Sequence, residues 1–460
     1  MSLHPKPRDS TGLRTALRTA DPLELSARVI ASGTADEPTN RVTNALTELD
    51  DGIAVVESFS HMVAFSTEAG LVCFDASGSL SGAAVAEALR GWSKEPVDSL
   101  IYTHGHMDHV GGSGAVAADA EALGHRPPRV VGHANVPVRL QRYEDTNGYN
   151  LAINARQFGG VPRRLNLGNL GAGASADRFV GADTLWPDIT YHDHLTVSVG
   201  GTDFVLHHDK GETDDHTWAW VPGCRALCVG DFVTWVFPNA GNPQKVQRYP
   251  LEWAGALRRM QAFEAELLLP AHGLPVRGQA EVDLILGDLA SALEGLVNAT
   301  LEQMNDGESL DTILQSVEVP EDLLSRPWLA PVYDEPEFVV RNIWRLYGGW
   351  WDLNPAKLKS ASEAAYAAEI VRLVGSTEKV ISRAQELAET GDFRLACELI
   401  ELAATAEPES VAAHGARAEI YATRRQVERS LMAKGIYAAA SRESTAIIES
   451  TLADTPDQTP

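Results

Sequence analysis

Cysteine is scarce in this sequence: Cys73, Cys224, Cys228 and Cys397 are the only four in 460 residues. No disulfide framework can be built from so few at such spacings, so the fold must rest on a core. Cys224 and Cys228 have the look of a zinc pair. The segment from Cys224 to Asp231 reads instead as a buried strand, where small apolar Cys is common. Basic residues are also few, with 38 Lys and Arg against 63 Asp and Glu, a net charge of −25. Such a chain repels phosphate backbones and anionic lipid, so no nucleic-acid and no membrane partner is expected. No stretch approaches the roughly 20 apolar residues of a membrane span. Between Met1 and Thr34 there is no continuous apolar run of the kind a secretory signal needs. A soluble, cytoplasmic protein is the expectation.

What is present is ordinary globular composition, 44% apolar and 22% charged, in a chain long enough for two domains. Residues 1–40 are polar and broken by Pro and Gly, which predicts an N-terminal arm. From Ile53 short β-prone runs follow: Ile53–Ser58, His61–Thr67 and Leu71–Ala76, then a helix over Ala83–Trp92 and a buried strand over Val97–Tyr102. A helix over Gly114–Leu123 and a strand over Arg129–Gly132 come next. Residues 144–190, rich in Gly, Asn and Asp, read as a long loop of the kind that often forms a lid or substrate wall. Strand signals return at Leu195–Val199, Phe204–His208, Trp218–Val221 and Ala226–Val229. A helix near Leu251–Phe263 and a last strand at Leu267–Leu269 complete the series. Beyond about residue 280 the pattern is helical, and Ala384…Gly391-Asp-Phe393…Ala396…Ala403…Pro408 resembles one tetratricopeptide-type helix pair. A single such unit cannot bury both of its faces, so a packed helical domain or a dimer interface is expected.

The chemistry concentrates in Tyr102-Thr-His104-Gly-His106-Met-Asp108-His109-Val-Gly-Gly112, directly after a strand. Imidazole and carboxylate are the ligands that bind zinc while leaving a position open to water. Alternating side-chain directions let His104 and His106 reach one ion while Asp108 and His109 reach another. Gly105, Gly111 and Gly112 are read as the residues that let the backbone turn sharply there.

This H-x-H-x-D-H pattern resembles the signature of the metallo-β-lactamase superfamily, and three later motifs fit it in order. They are Gly211-Glu212-Thr213-Asp-Asp-His216, Gly230-Asp231 and Pro270-Ala-His272-Gly273. The resemblance spans about residues 50–280 and implies two zinc ions per subunit. It gives His104, His106 and Glu212 to one metal, Asp108, His109 and His272 to the other, and places Asp231 between them. Glu212 stands where β-lactamases and glyoxalase-type thioesterases use His, whereas alkylsulfatases of this fold use a carboxylate. His216 is the rival ligand in that segment, and otherwise a group behind the ligands or a proton carrier. His61, His133, His192, His194, His207 and His208 have no ligand spacing and read as structural or exposed.

A second resemblance covers Tyr333 to Pro355, including Arg341, Asn342 and Trp350. It is similar to the segment after the catalytic domain in alkylsulfatases related to the sodium dodecyl sulfate hydrolases, where a helical dimerisation domain opens. It implies a homodimer through the C-terminal helices. Those sulfatases carry a further lipid-carrier-like domain, and none is read before residue 460, which turns the expectation away from long-chain detergents. The bridging carboxylate is Asp231 here, where several sulfatases of the group have Glu.

Together these readings predict an αββα metallo-β-lactamase sandwich of the α/β class, followed by an all-α, tetratricopeptide-like dimerisation domain. The expected divisions are an arm (1–40), a catalytic domain (41–285), a helical connector reaching the active-site region (286–360), a dimerisation domain (361–452) and a disordered tail (453–460). The expected reaction is zinc-dependent hydrolysis of a small anionic ester, a sulfate ester first, with Asp108, Asp231 and His216 in catalytic roles. Two zinc ions would lower the pKa of a shared water towards neutrality. Lys245, Arg248, Arg341 and Asn342, with Tyr149 and Asn150 from the long loop, are the candidates to grip the substrate. Hydrolysis of another ester, a lactone or a thioester is the nearest alternative, since fold does not fix substrate. Iron-dependent oxidation is a more distant one.

Overall fold

The computed structural model describes residues 21–158 and 177–453. They fall into two units, the first comprising residues 21–151, 177–306 and 313–347. This unit holds two sheets. The seven-stranded sheet runs in sequence order through β1 (Ala45–Asp50), β2 (Ile53–Glu57), β3 (Met62–Thr67), β4 (Gly70–Phe74), β5 (Val97–Ile101), β6 (Arg129–His133) and β7 (Ile189–Tyr191). The six-stranded sheet contains β8 (His194–Val199), β9 (Thr202–His208), β10 (Thr217–Val221), β11 (Ala226–Gly230), β12 (Leu267–Pro270) and β13 (Val276–Arg277).

Period-two alternation decides which face each side chain takes. On β4, Leu71 and Cys73 join the layer packed on the Gly82–Trp92 and Ser113–Ala122 helices, with Val85, Leu89 and Val116. Val72 and Phe74 face the other way, into a core shared with the second sheet through Phe204, Leu206, Ala219 and Leu269. There Phe65 meets Phe204 edge to face at 5.2 Å, a contact between sheets worth about 0.5–1.5 kcal/mol beyond burial. The αββα sandwich expected from the sequence is therefore present.

Topology collects the functional ends. Strands β4, β5 and β6 are mutually parallel, and so are β11 and β12. Each parallel run releases its chain at one edge, the usual place for a site in such sheets. Across that edge the Thr217 N–H donates to the Thr103 carbonyl at 2.6 Å and the Ala271 N–H to that of Gly230 at 3.0 Å.

Several expectations are corrected. The arm is not loose along its length: Pro22–Ser32 is a helix, capped by the Asp21 carboxylate, with Leu25 and Val29 buried. Residues 1–20 lie outside the described residues. The long loop is largely helical, with Asn135–Asp145 and Asn147–Phe158, and 159–176 lie outside the described residues. Cys224 ends a short 3-10 turn, so the strand begins at Ala226. All four cysteines are free. Gly111 and Gly112 have right-handed φ of −65° and −84°, so they do not serve a sharp turn. Gly112 is glycine because a Cβ would lie 2.0 Å from the Ala76 carbonyl. Among the described residues one helix, Gln279–Asn305, is long and apolar enough to cross a membrane by length and composition. Its Ile285, Leu286, Leu289 and Leu293 are buried in the unit, which is the behaviour of a core helix. Much of the expected connector, to Tyr347, belongs to this first unit.

The second unit is helical. Within it Thr377–Glu389 and Phe393–Ala406 form the helix pair read from the sequence, followed by Val411–Val427 and Leu431–Ala453. Ser376, Asp392 and Ser410 each accept a backbone N–H at a helix start, each cap worth about 1 kcal/mol. Ala384, Ala396, Ala403 and Ala413 have no exposed surface, and these small side chains let the helices pack closely. The tail 454–460 lies outside the described residues.

Candidate metal centre

Strand ends carry the site. After β5 the chain delivers His104, His106, Asp108 and His109; after β9 it delivers Glu212; after β11, Asp231; after β12, His272. Their donor atoms form two groups, His104, His106, Glu212 and Asp231 in one and Asp108, His109 and His272 in the other. Within each group the atoms lie within 4.8 Å of one another. His104 Nε2 is 2.8 Å from His106 Nδ1 and 3.8 Å from Asp231 Oδ2. The second carboxylate oxygen of Asp231 is 3.4 Å from His109 Nε2 and 3.5 Å from His272 Nε2. Asp231 thus faces both groups with one oxygen each.

Electrostatics say what belongs between them. Burial raises the pKa of Glu212 well above the carboxylate range against the pull of Arg248, and the Asp231 and Asp108 carboxylates push it further. Burial lowers His104 and His106 well below the imidazole range, helped by neighbouring cationic groups. Burial opposes charge on His109, yet Asp231, Asp108 and Asp75 outweigh it and hold that ring protonated. His109 Nε2 and Asp231 Oδ1 are buried polar atoms that make no hydrogen bond. Three carboxylates crowded against four imidazoles, with orphaned donors facing inward, fit divalent cations.

The rings are aimed from behind. His109 Nδ1 meets Asp75 Oδ2 at 2.7 Å, and Asp75 also accepts the N–H and hydroxyl of Thr103 at 2.8 and 2.7 Å. The carboxylate of Asp215 accepts the Gly105 N–H at 3.0 Å and Arg139 Nε at 2.9 Å, which pins the loop between the first two histidines. Phe59 packs edge to face on His272 at 5.3 Å.

Residues 55–272 match the family model described as the metallo-beta-lactamase superfamily. The chain carries a metallo-β-lactamase domain. Residues 309–446 match a second model, alkyl sulfatase dimerisation. A linear primary-alkylsulfatase of Pseudomonas sp. (strain ATCC 19151) is 26% identical over 67% of this chain and 59% of its own length. Another linear primary-alkylsulfatase from Pseudomonas sp. is 26% identical over 82% of this chain and 57% of its own. The chain therefore spans less than two thirds of the length of these relatives. Among solved structures, a double mutant of the sec-alkyl sulfatase PisA1 has a TM-score of 0.77. It is 20% identical and covers 94% of this chain and 70% of its own, a likeness of fold.

Within the metallo-β-lactamase domain, the structure gathers His104, His106, Asp108, His109, Glu212, Asp231 and His272. It leaves His216 outside. That ring is fully buried, stacks on Phe232 at 4.3 Å, and its Nε2 accepts the Asp231 N–H at 3.2 Å. Burial lowers its pKa to about 3, so the ring is uncharged at neutral pH and supports Asp231 as an acceptor. The segment's alternative resolves to Glu212.

The substrate candidates separate similarly. Arg248 is buried and donates from Nη1 to Glu212 Oε1 at 2.8 Å and to the Glu212 carbonyl at 2.6 Å. Asn342 is spent on Arg248, donating to its carbonyl at 3.0 Å while its own Oδ1 accepts Gln247 Nε2 at 3.0 Å. Arg341 is exposed and paired with Glu337 at 3.1 Å. Asn150 binds the carbonyl and hydroxyl of Thr146, the residue just before its own helix, and Tyr149 is exposed. These five are thus not placed as substrate ligands. Lys245 differs: its partly covered ammonium feels the Asp108 and Glu212 carboxylates, while burial first and then Arg248 and Arg142 lower its pKa to about 7.

Sequence reasoning missed Asp75, Asp215, Asn239 and Tyr333. Asn239 Nδ2 donates to Glu212 Oε1 at 2.5 Å. Burial raises the Tyr333 phenol, and the Glu212 and Asp108 carboxylates add to this, so it stays a donor near the centre. Asp75 and Asp215 were detectable only as carboxylates beside strand ends or ligand motifs, a weak signal without the fold.

Proposed function

We propose that this protein is a binuclear zinc hydrolase that cleaves alkyl sulfate esters to an alcohol and sulfate. The observation that carries the reading is that Glu212, a carboxylate, joins His104 and His106 while His216 turns away behind Asp231. A carboxylate at this position is what the resemblance to the alkylsulfatases implies, and it sets the chain apart from the β-lactamases and thioesterases. The match of residues 309–446 to the dimerisation model supports the same direction.

His104, His106, Glu212 and Asp231 would hold one ion, and Asp108, His109, His272 and Asp231 the other. When bound, such ions polarise an oxyanion and make water a usable nucleophile near neutral pH. The chain's own work is to place and keep charge. Asp231 spans the two positions, Asp75 orients His109, and Lys245 attracts the anionic head of the ester. Tyr333 retains its proton and can donate a hydrogen bond there.

A homodimer through the helical unit is part of this proposal. Tyr366, Leu373, Leu395 and Val427 are apolar side chains exposed on that unit, which a partner would cover.

The test is a panel of short alkyl sulfates, lactones and thioesters, with sulfate release followed by ion chromatography. Turnover of a sulfate ester with two zinc ions per chain is the expected result. Silence on every sulfate ester, with turnover of a lactone or thioester, would replace the substrate class. Light scattering of the same preparation checks the dimer.

A further inference from the structure

Arg248 was a candidate for gripping substrate, but its surroundings leave it another task. Its guanidinium is 2% exposed and lies inside the shell that backs the metal ligands. Nη1 donates to Glu212 Oε1 at 2.8 Å and to the Glu212 main-chain carbonyl at 2.6 Å, so side chain and backbone of one residue are held by one nitrogen. Asn239 Nδ2 donates to the same Oε1 at 2.5 Å. Two donors therefore fix Oε1, which also lies 3.6 Å from His106 Nδ1. The peptide of Arg248 is fixed on both sides by Asn342, whose Nδ2 donates to the Arg248 carbonyl and whose Oδ1 accepts its N–H at 3.4 Å. Arg345 and Gln247 extend that clamp, with Arg345 Nε on Gln247 Oε1 at 2.9 Å.

A fixed guanidinium against a ligating carboxylate has two consequences. It fixes the orientation of that carboxylate, and it cancels much of the negative charge that the ligand would add. Removing one partner of such a buried pair strands the other charge, which is costly. Here the stranded charge would be a cation beside a second cation.

We propose that Arg248 is a positioning residue for the metal centre, and that Arg248 and Glu212 act on the bound cation as one nearly neutral unit. The inference rests on reading the centre as a metal site. It makes Asn342 the residue that holds this unit in register.

The experiment is a double-mutant cycle read by zinc binding. Full-length protein is stripped with chelator, and zinc is titrated calorimetrically into the parent, Glu212→Gln, Arg248→Met and the double variant. In the Glu212→Gln background Arg248→Met removes a stranded cation, whereas in the parent it releases a positioned ligand, so its effect on zinc affinity is expected to be at least ten-fold more favourable in that background than in the parent. A difference of less than ten-fold means that the two residues act independently and overturns the proposal. A second cycle with Glu212→His, which keeps a neutral donor, covers a failure of Glu212→Gln to fold and is judged by the same threshold. No substrate enters either titration. A failed sulfatase assay therefore leaves this inference standing, while additive zinc affinities beside intact sulfate release would remove it alone.

Discussion

Asp75 Oδ2 lies 2.7 Å from His109 Nδ1, on the far side of the ring from Asp231. The carboxylate fixes the Nδ1–H tautomer and leaves Nε2 to face the centre. Ligand histidines backed in this way typically lose 10–100-fold in metal affinity when the backing group is removed. Asp75→Ala is expected to show that loss, measured as zinc retained after dialysis against a competing chelator. Retention equal to the parent's would mean that the 2.7 Å contact does not orient the ring.

How much of this was legible beforehand depends on what signal each residue carries. The buried strands were, because their apolar side chains recur with strand periodicity and Gly or polar breaks divide them. The edge strand Ala45–Asp50 was not, since all but one of its residues are at least partly exposed. The Asn147–Phe158 helix was taken for loop because Asn and Gly dominate its first turns, and Asn150, Asn154 and Gln157 are buried polar residues there. The seven residues of the two clusters were readable, His104, His106, Asp108 and His109 from their spacing and Glu212, Asp231 and His272 through the family resemblance. Asp75 was not, because its partner lies 34 residues on and only the parallel pairing of β4 and β5 joins them. Arg248 and Asn342 were read as candidates to grip the substrate, but their partners here are Glu212 and the Gln247–Arg248 peptide.

Metal removal is expected to act through pH. Without its cation, Glu212 has a pKa raised by burial and by the Asp231 and Asp108 carboxylates, so the folded chain holds a proton that the unfolded chain has released. Stability from such a group is present below the unfolded pKa and falls as pH rises towards the folded value. The Glu212 contribution to the metal-free protein's stability should therefore fall as pH rises above the ordinary carboxylate range, and Glu212→Gln should remove that fall. The zinc-loaded protein, whose carboxylates are neutralised by the ions, should lose less. Calorimetric scans of both forms give the difference, and parallel Tm curves would contradict the assigned cause.

Gly241 tests how the segment behind Glu212 is held. Its N–H donates to the buried Asp334 Oδ2 at 2.6 Å, and an added Cβ would lie 2.2 Å from the Phe338 carbonyl carbon and the Val339 nitrogen. Both neighbours are backbone and cannot swing aside. Gly241→Ala is expected to cost about 1–3 kcal/mol of stability. It should also weaken zinc binding, because Asn239 is displaced from Glu212 Oε1. Chemical denaturation and zinc titration measure the two effects, and an unshifted midpoint would show that the Pro336–Gly348 helix yields freely.

Lys245 gives the alkaline limb of the pH profile. Burial, then Arg248 and Arg142, lower its pKa to about 7 against the opposing pull of Asp108 and Glu212. The ammonium needed to attract a sulfate ester is present below that value and is lost above it. KM for an anionic substrate should therefore rise as pH passes from about 6.5 to 8, with little change in kcat. The folding term runs the other way. The unfolded chain binds this proton up to about pH 10.4, so the group's contribution to stability grows from about pH 7 upwards. Lys245→Met should raise KM at pH 6 by about ten-fold, some 1.4 kcal/mol, and abolish the alkaline rise. Steady-state kinetics of parent and variant across that range decide it: an alkaline limb that survives in Lys245→Met belongs to another group.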